Sequence, residues 1–377
     1  MTTRKSAYVL LEDGARFDGL ACAAQDSAVG EIVFTTSMSG YQEAMTDPSY
    51  AGQLLVFTYP QIGNYGVHAG AMESDRVHAR AAIMREAVDR EDSSSAEQGW
   101  LSWLEDCGVP AITEVDTRAL VRHIRSRGAM RGGLFPGHLD EREAQALIAA
   151  EPPMEGRNLV PAVSSPKRTV LEGGRPRIAI LDTGVKRSIV AELRRRGATV
   201  ELHPSTARAR ELLASGPDAV LLANGPGDPG ALQYIVATVR DLIGQVPVYG
   251  ICLGHQLVCR AVGLETYKLP FGHHGANHPV KDLRSATIEI TSQNHGFAVL
   301  GPGGAPTIDT DEAVRWETEY GTAELTHINL YDRTVEGLSL CDVPAATVQY
   351  HPEAGPGPHD ALHLFDEFVC GARAHAA

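Results

Sequence analysis

The stretch "VPVYGICLGHQ", residues 246–256, decides how the C-terminal half of the chain is read. An apolar run of one strand's length ends at Ile251, and a helical pattern starts at Leu253. Cys252 stands between them, with Gly250 and Gly254 two residues away on either side. A thiol between glycines at a strand-to-helix junction is the nucleophile-elbow pattern, with Cys in place of Ser. The glycines meet a steric demand, since side chains clash in so tight a turn. Such a turn lifts the sulfur above the sheet, places it near a helix N-terminus, and aims the Leu253 backbone N–H where an oxyanion would form. The competing reading is a small cysteine packed in an apolar core.

Working outward, strand-like and helix-like runs alternate. "RIAILD" (177–182), "ATVELHP" (198–204), "DAVLLAN" (218–224) and "PVYGI" (247–251) read as buried strands. "TGVKRSIVAELRRRG", "ARARELLASG" and "ALQYIVATVRDLIG" read as the helices between them. This alternation predicts a parallel sheet with helices on both faces, and sites on such sheets lie beyond the carboxyl ends of the strands. "GPGDPG" (225–230) and "GICLG" (250–254) both fall at such ends. The first half follows another grammar. "AYVLLEDG", "GEIVFTTS" and "QLLVFTYP" read as strands, and "DRVHARAAIMREAV", "TEVDTRALVRHIRSRG" and "EREAQALIAAE" as helices. A Pro-, Gly- and Ser-rich stretch lies between the halves. The expectation is a two-domain α/β protein: an N-terminal mixed α/β domain (1–151), a linker (152–175), and a C-terminal parallel-sheet α/β domain carrying the elbow (176–377).

The 377 residues suit two domains. Lys and Arg total 33 against 47 Asp and Glu, a net charge of −14. That balance argues against nucleic acid or an anionic membrane as the main partner. The N-terminal apolar run "AYVLL" is too short for a signal core, and no stretch has the length of a membrane span. The six cysteines are scattered without a CxxC pair, so neither a disulfide framework nor a zinc site is expected. These features point to a cytoplasmic protein with reduced thiols.

A cysteine nucleophile needs a base. Among 15 histidines, His351 in "VQYHPEAGPGPHD" (348–360) follows a strand-like run, with Glu353 two residues on. That offset allows the carboxylate to bind one imidazole nitrogen and leave the other for the thiol. The alternative is a surface His-Pro turn. The loop "ANGPGDPG" (223–230) offers backbone N–H groups, although most Gly-Pro loops are only turns. "FGHHGANHP" (271–279) holds His273, His274 and His278, but no acid or thiol stands at ligand spacing with them, so no metal is expected. Cys259 falls near the face of Cys252 on the following helix and reads as packing.

"GICLGHQ", "NGPGDP" and "HPE", in this order and at these spacings, resemble the class I (triad) glutamine amidotransferases. "FTTSMSGYQEAMTDPSYAGQLLVFTYPQIGNYGV" and "DTRALVRHIRSRGAMRGG" in the first half, with "FGHHGANHPV" and "SQNHGFAV" in the second, resemble the small-subunit family of carbamoyl phosphate synthetases over nearly the whole chain. The resemblance implies hydrolysis of glutamine's side-chain amide through a thioester, with Cys252 as nucleophile, His351 as base and then acid, and Glu353 orienting His351. It implies an oxyanion hole from the backbone amides of Gly225 and Leu253. Glutamine contacts are implied for Gly227, Gln256, Asn294, Gly296, Phe297 and, from the N-terminal domain, Ser49, which would put the glutamine site at the domain interface. It implies that ammonia passes to a large synthetase subunit for carbamoyl phosphate synthesis in the arginine and pyrimidine pathways. ATP and Mg2+ would belong to that partner, and no cofactor to this chain, in keeping with the lack of a Gly-rich Lys/Ser phosphate loop.

Three other readings stand beside this one: another amidotransferase, a thiol hydrolase or peptidase on a similar elbow, and an inactive scaffold that regulates a synthetase. The N-terminal half speaks against the first, "HPE" and Gln256 against the second, and the presence of all three triad residues against the third. Two departures from the family pattern are visible. Thr183 and Ser188 stand in "LDTGVKRSI", where a "DFG-x-K-x-N"-like turn is commoner; this reads as packing at the sheet edge. The acidic stretch 300–325 reads as a solvated surface loop.

Overall fold

A closed barrel organises the first half. Its seven strands run, in spatial order, Ser6–Leu11, Arg16–Ala21, Ala111–Thr113, Ala81–Ile83, Gln53–Phe57, Ala28–Thr35 and Met130–Pro136, the last pairing back onto the first. Closure removes the exposed edges a small open sheet would carry. The computed structural model describes residues 5–376. It divides into one unit of Met1–Arg157 with Pro270–Gly275, and a second of Asn158–Leu269 with Ala276–Ala377. The boundary falls inside the expected linker, and part of that linker is built into the second unit. Thr169–Leu171 pairs as an edge strand with Ala198–Pro204, and Val160 is buried in the second unit's core.

In the first unit the helices Thr117–Arg127 and Glu141–Ala150 form where their patterns predict, each with an Asp side chain capping its N-terminus. "DRVHARAAIMREAV" is a correction. It holds the barrel strand Ala81–Ile83 and a short strand at Glu86–Ala87, not a helix. All three residues of "AAI" are fully buried, and a run buried on every side carries no period that separates strand from helix. Ser49 lies in this unit, in the turn Pro48–Tyr50, where the Asp47 carboxylate accepts its backbone N–H at 2.9 Å.

The second unit is an eleven-stranded sheet. Five central strands are parallel: Ala198–Pro204, Gly174–Asp182, Ala219–Leu222, Val248–Ile251 and Ala345–Val348. Beyond Ala345–Val348 the sheet turns antiparallel through Val335–Leu340 and Gly321–Asn329. Successive residues of the parallel strands feed opposite cores. Ala179, Leu181, Val220 and Leu222 enter one, and Ile178, Ile180, Ala219 and Leu221 the other, which is how a sheet covered on both faces reads as continuously apolar. The stretch 300–325 is a second correction. Val314–Thr318 forms a hairpin strand on Gly321–Asn329, and Trp316 and Tyr320 pack against the core. Its acidity misled because in Val314–Thr318 only alternate residues are drawn inward.

Candidate active site

Three strand ends of the parallel sheet build the site. At Val248–Ile251 the chain leaves the sheet through Cys252, whose φ of 55° and ψ of −105° lie where L-residues are rarely found. The strain is held in place from several sides. The Cys252 N–H donates to the Val348 carbonyl at 2.9 Å, and Gly254 N–H to that of Ala223 at 3.0 Å. A Cβ on Gly254 would sit 2.1 Å from the Leu222 carbonyl oxygen, and one on Gly250 would sit 2.7 Å from the Gly254 backbone. Both glycines of the elbow are therefore sterically required. The helix Leu253–Ala261 starts one residue after the sulfur, so the Leu253 N–H has no partner within the helix.

The second strand end, after Ala345–Val348, carries His351 and Glu353, both buried. His351 Nδ1 and Glu353 Oε1 are 2.6 Å apart, and among the described residues no group within hydrogen-bonding geometry takes up His351 Nε2. Burial disfavours a charged imidazole, but the Glu353 carboxylate, then Cys252, outweigh it and hold the His351 pKa well above the usual histidine range. His255, also in the elbow motif, is the opposite case. Burial, then His327, pushes it down to about 3, and its Nδ1 is engaged by Thr347 Oγ1 at 2.8 Å. Of these two histidines only His351 has a nitrogen to offer the thiol. Cys259 lies away from this chemistry, fully buried beside His255, with burial pushing its thiol pKa up.

Lys186 is the residue the sequence reading passed over. Its Nζ lies 3.0 Å from Glu353 Oε1 and donates to the carbonyls of Ala354 at 2.7 Å and Gly355 at 3.0 Å, with the side chain almost wholly buried. Burial raises a carboxyl pKa, but Lys186 and then His351 hold that of Glu353 well below the carboxylate range. One lysine thus fixes both the charge of Glu353 and the path of the loop that carries it. The family turn at this stretch holds a lysine at this position, but the contacts span 168 and 169 residues, so nothing local says what it meets.

The third strand end, after Ala219–Leu222, carries the loop with Gly225 and Gly227. Gly227 has φ +92°. Gly225 packs on the Thr183 backbone, whose carbonyl oxygen would lie 2.1 Å from an added Cβ. The Thr183 hydroxyl, fully buried, is 2.9 Å from the carbonyls of both Ala223 and Asn224. Thr183 therefore anchors the Gly225 loop directly, which corrects its reading as edge packing.

The antiparallel strand Ile288–Val299 brings Asn294, Gly296 and Phe297 to the same region. The Asn294 carbonyl accepts from Cys252 Sγ at 3.6 Å. Gln256 spends its amide N–H groups on the Phe297 carbonyl at 2.8 Å and on Gln349 Oε1 at 3.0 Å, which leaves its carbonyl oxygen to meet a ligand donor. The Lys268 ammonium lies 5.3 Å from the centre of the Phe297 ring. The second unit thus gathers Cys252, Leu253, Gln256, Gly225, Gly227, Asn294, Gly296, Phe297, His351 and Glu353. Ser49 belongs to the first unit. The three histidines of 271–279 part company: His274 stacks on Tyr50, and His278 meets Tyr331 edge to face.

Residues 9–134 match the family model described as carbamoyl-phosphate synthase small chain, CPSase domain, and residues 179–370 match glutamine amidotransferase class-I. Curated relatives run the full length. A carbamoyl phosphate synthase small chain of Chlorobaculum tepidum is 45% identical over 96% of this chain and 96% of its own. The chain belongs to the carbamoyl phosphate synthase small chain family. A Methanopyrus kandleri member is 46% identical over 98% and 99%, and a Thermotoga maritima member 42% over 97% and 97%. The second unit carries a class I glutamine amidotransferase domain, and the elbow, the Gly225 loop and the His351–Glu353 pair all lie within the matched residues. Among the described residues no helix is long and apolar enough to cross a membrane.

Proposed function

We propose that this chain supplies ammonia from L-glutamine to a large synthetase subunit, with Cys252 as nucleophile. The observation that carries the reading is the line Lys186–Glu353–His351 ending beside Cys252. Cys252 gives its proton to His351 Nε2, and its sulfur bonds to the side-chain amide carbon of glutamine. The carbonyl electrons move to oxygen, held by the N–H groups of Gly225 and Leu253. As the electrons return, the C–N bond breaks and His351 protonates the leaving nitrogen, which departs as ammonia. Water then attacks the glutamyl thioester, giving its proton to His351, and glutamate leaves with the thiol restored. Glu353 stays ionised and holds the imidazole's orientation, and Lys186 holds Glu353.

Gln256, Gly227, Asn294, Gly296 and Phe297 line the place for glutamine, with the Gln256 carbonyl oxygen free to accept from an ammonium group. Ser49 is assigned to glutamine by family resemblance alone. ATP, Mg2+ and bicarbonate chemistry belongs to the partner subunit, and the setting is the cytoplasm. Acid-quenching the chain during turnover of labelled glutamine tests the nucleophile. A label on the peptide holding Cys252, absent from Cys252→Ala, is the expected result; a label elsewhere would sink the assignment.

A further inference from the structure

Helix Thr117–Arg127 buries Thr117, Leu120 and Ile124. Its opposite side carries Arg118, Arg122 and Arg125, spaced by four and three residues and so aligned along one face. All three are exposed, and none of their guanidinium groups bonds or ion-pairs with a described residue. Other arginines of this acidic chain sit on carboxylates, among them Arg131 on Glu12, Arg157 on Glu151, Arg196 on Asp366 and Arg333 on Asp311, so the three are free where partners of opposite charge abound. The helix dipole accounts for cations in the last turn but not for Arg118 in the first, where a positive charge is unfavourable. Like charges at this spacing also repel.

Apolar surface adjoins the stripe. Phe271 is half-exposed, its ring backed by Phe34 at 6.2 Å, with the Arg125 guanidinium 5.9 Å from its centre. Ala119, His123 and Ser126 complete a groove of about 560 Å³ with Arg122, Arg125 and Phe271. His123 is occupied by Asp13 at 2.6 Å.

We propose that this stripe docks a carboxylate-rich surface of the synthetase subunit, an inference that rests on the functional reading above. The stripe runs roughly 10 Å along the helix, longer than one phosphate or carboxylate group. It is open, and no fully buried polar side chain lines it, as a small-anion site would require. The net charge of −14 disfavours nucleic acid and equally a second copy of the chain. Arginine beside an aromatic ring is the composition that dominates protein interfaces, and charges so placed steer association.

The test is binding of the full chain to its cognate synthetase subunit at several salt concentrations. The comparison is the triple variant Arg118→Glu, Arg122→Glu, Arg125→Glu, with the neutral Gln triple beside it and glutaminase activity of the free chain as the fold control. The expected result is an affinity loss of about 100-fold for the Glu triple, mostly in association rate, with a smaller loss and a flatter salt dependence for the Gln triple. Wild-type binding with no change in either variant overturns the proposal and leaves the functional reading standing. Failure of the wild type itself to bind overturns both. A wild-type dimer that the Glu triple dissociates makes the occupant a second copy and also overturns the proposal.

Discussion

At the residue scale, the site turns on one buried lysine. Glu353 is ionised in a buried place because Lys186 stands 3.0 Å away, and His351 gains its proton affinity from that carboxylate. Lys186→Met strands the carboxylate, at a cost of about 3–5 kcal/mol if it stays ionised. The carboxyl avoids that cost by taking a proton. Because the folded pKa of Glu353 is depressed mainly by Lys186, its removal moves that pKa up, and the acid limb of the glutaminase pH profile shifts to higher pH with it. Unchanged profiles for wild type and Lys186→Met would refute the coupling. Thr183 offers a finer test. Thr183→Val removes the hydroxyl that holds Ala223 and Asn224, and the loss expected is about 10-fold in kcat, with KM for glutamine little changed. Thr183→Ser keeps the hydroxyl and is expected to restore most of the rate. If Val and Ser variants behave alike, the loop does not depend on that anchor.

At the scale of elements, the strand Ala198–Pro204 carries a second buried acid, Glu201, ion-paired with Arg168 at 2.9 Å and with Arg177. Burial raises its pKa, but the nearby Ser215 hydroxyl and the bound Arg168 and Arg177 guanidinium groups together bring it down to about 2. A depressed carboxyl stabilises the fold above its unfolded pKa of about 4.3 and loses that contribution as pH falls toward the folded value. Glu201→Gln is therefore expected to lower unfolding stability at pH 7 by about 2 kcal/mol and to flatten the loss between pH 4.5 and 2. Parallel urea titrations check this, and an equal pH slope in both proteins would contradict it. Elements also show which parts of the chain were legible. The elbow was, because a strand, a strained residue and a helix follow one another within a dozen residues and their steric needs are written as glycines. So was the His351–Glu353 pair, at an offset of two. The role of Lys186 was not, since its carbonyl partners are 168 and 169 residues away, nor was Ala81–Ile83, too short and too buried to show a period. The strand at 314–318 hid because none of its residues is fully buried and charged Arg315 and Glu317 face outward.

At the scale of the whole molecule, family membership spans nearly the full chain, and the two units divide the work. The amidotransferase unit holds the whole line proposed for the covalent chemistry, from Lys186 through Glu353 and His351 to Cys252. The barrel unit takes its closure from seven strands, and across the chain's numbering it also claims Pro270–Gly275, an assignment no linear reading of domain boundaries gives. The proposed role of Cys252 makes ammonia for a second subunit to consume, so the most direct measurement is made on the pair. Carbamoyl phosphate formation is followed with ATP and bicarbonate, once with glutamine and once with ammonium, using wild type and Cys252→Ser. Glutamine-driven synthesis lost in Cys252→Ser, with ammonium-driven synthesis kept, is the expected result. Equal glutamine-driven rates in both proteins would contradict a thioester at Cys252.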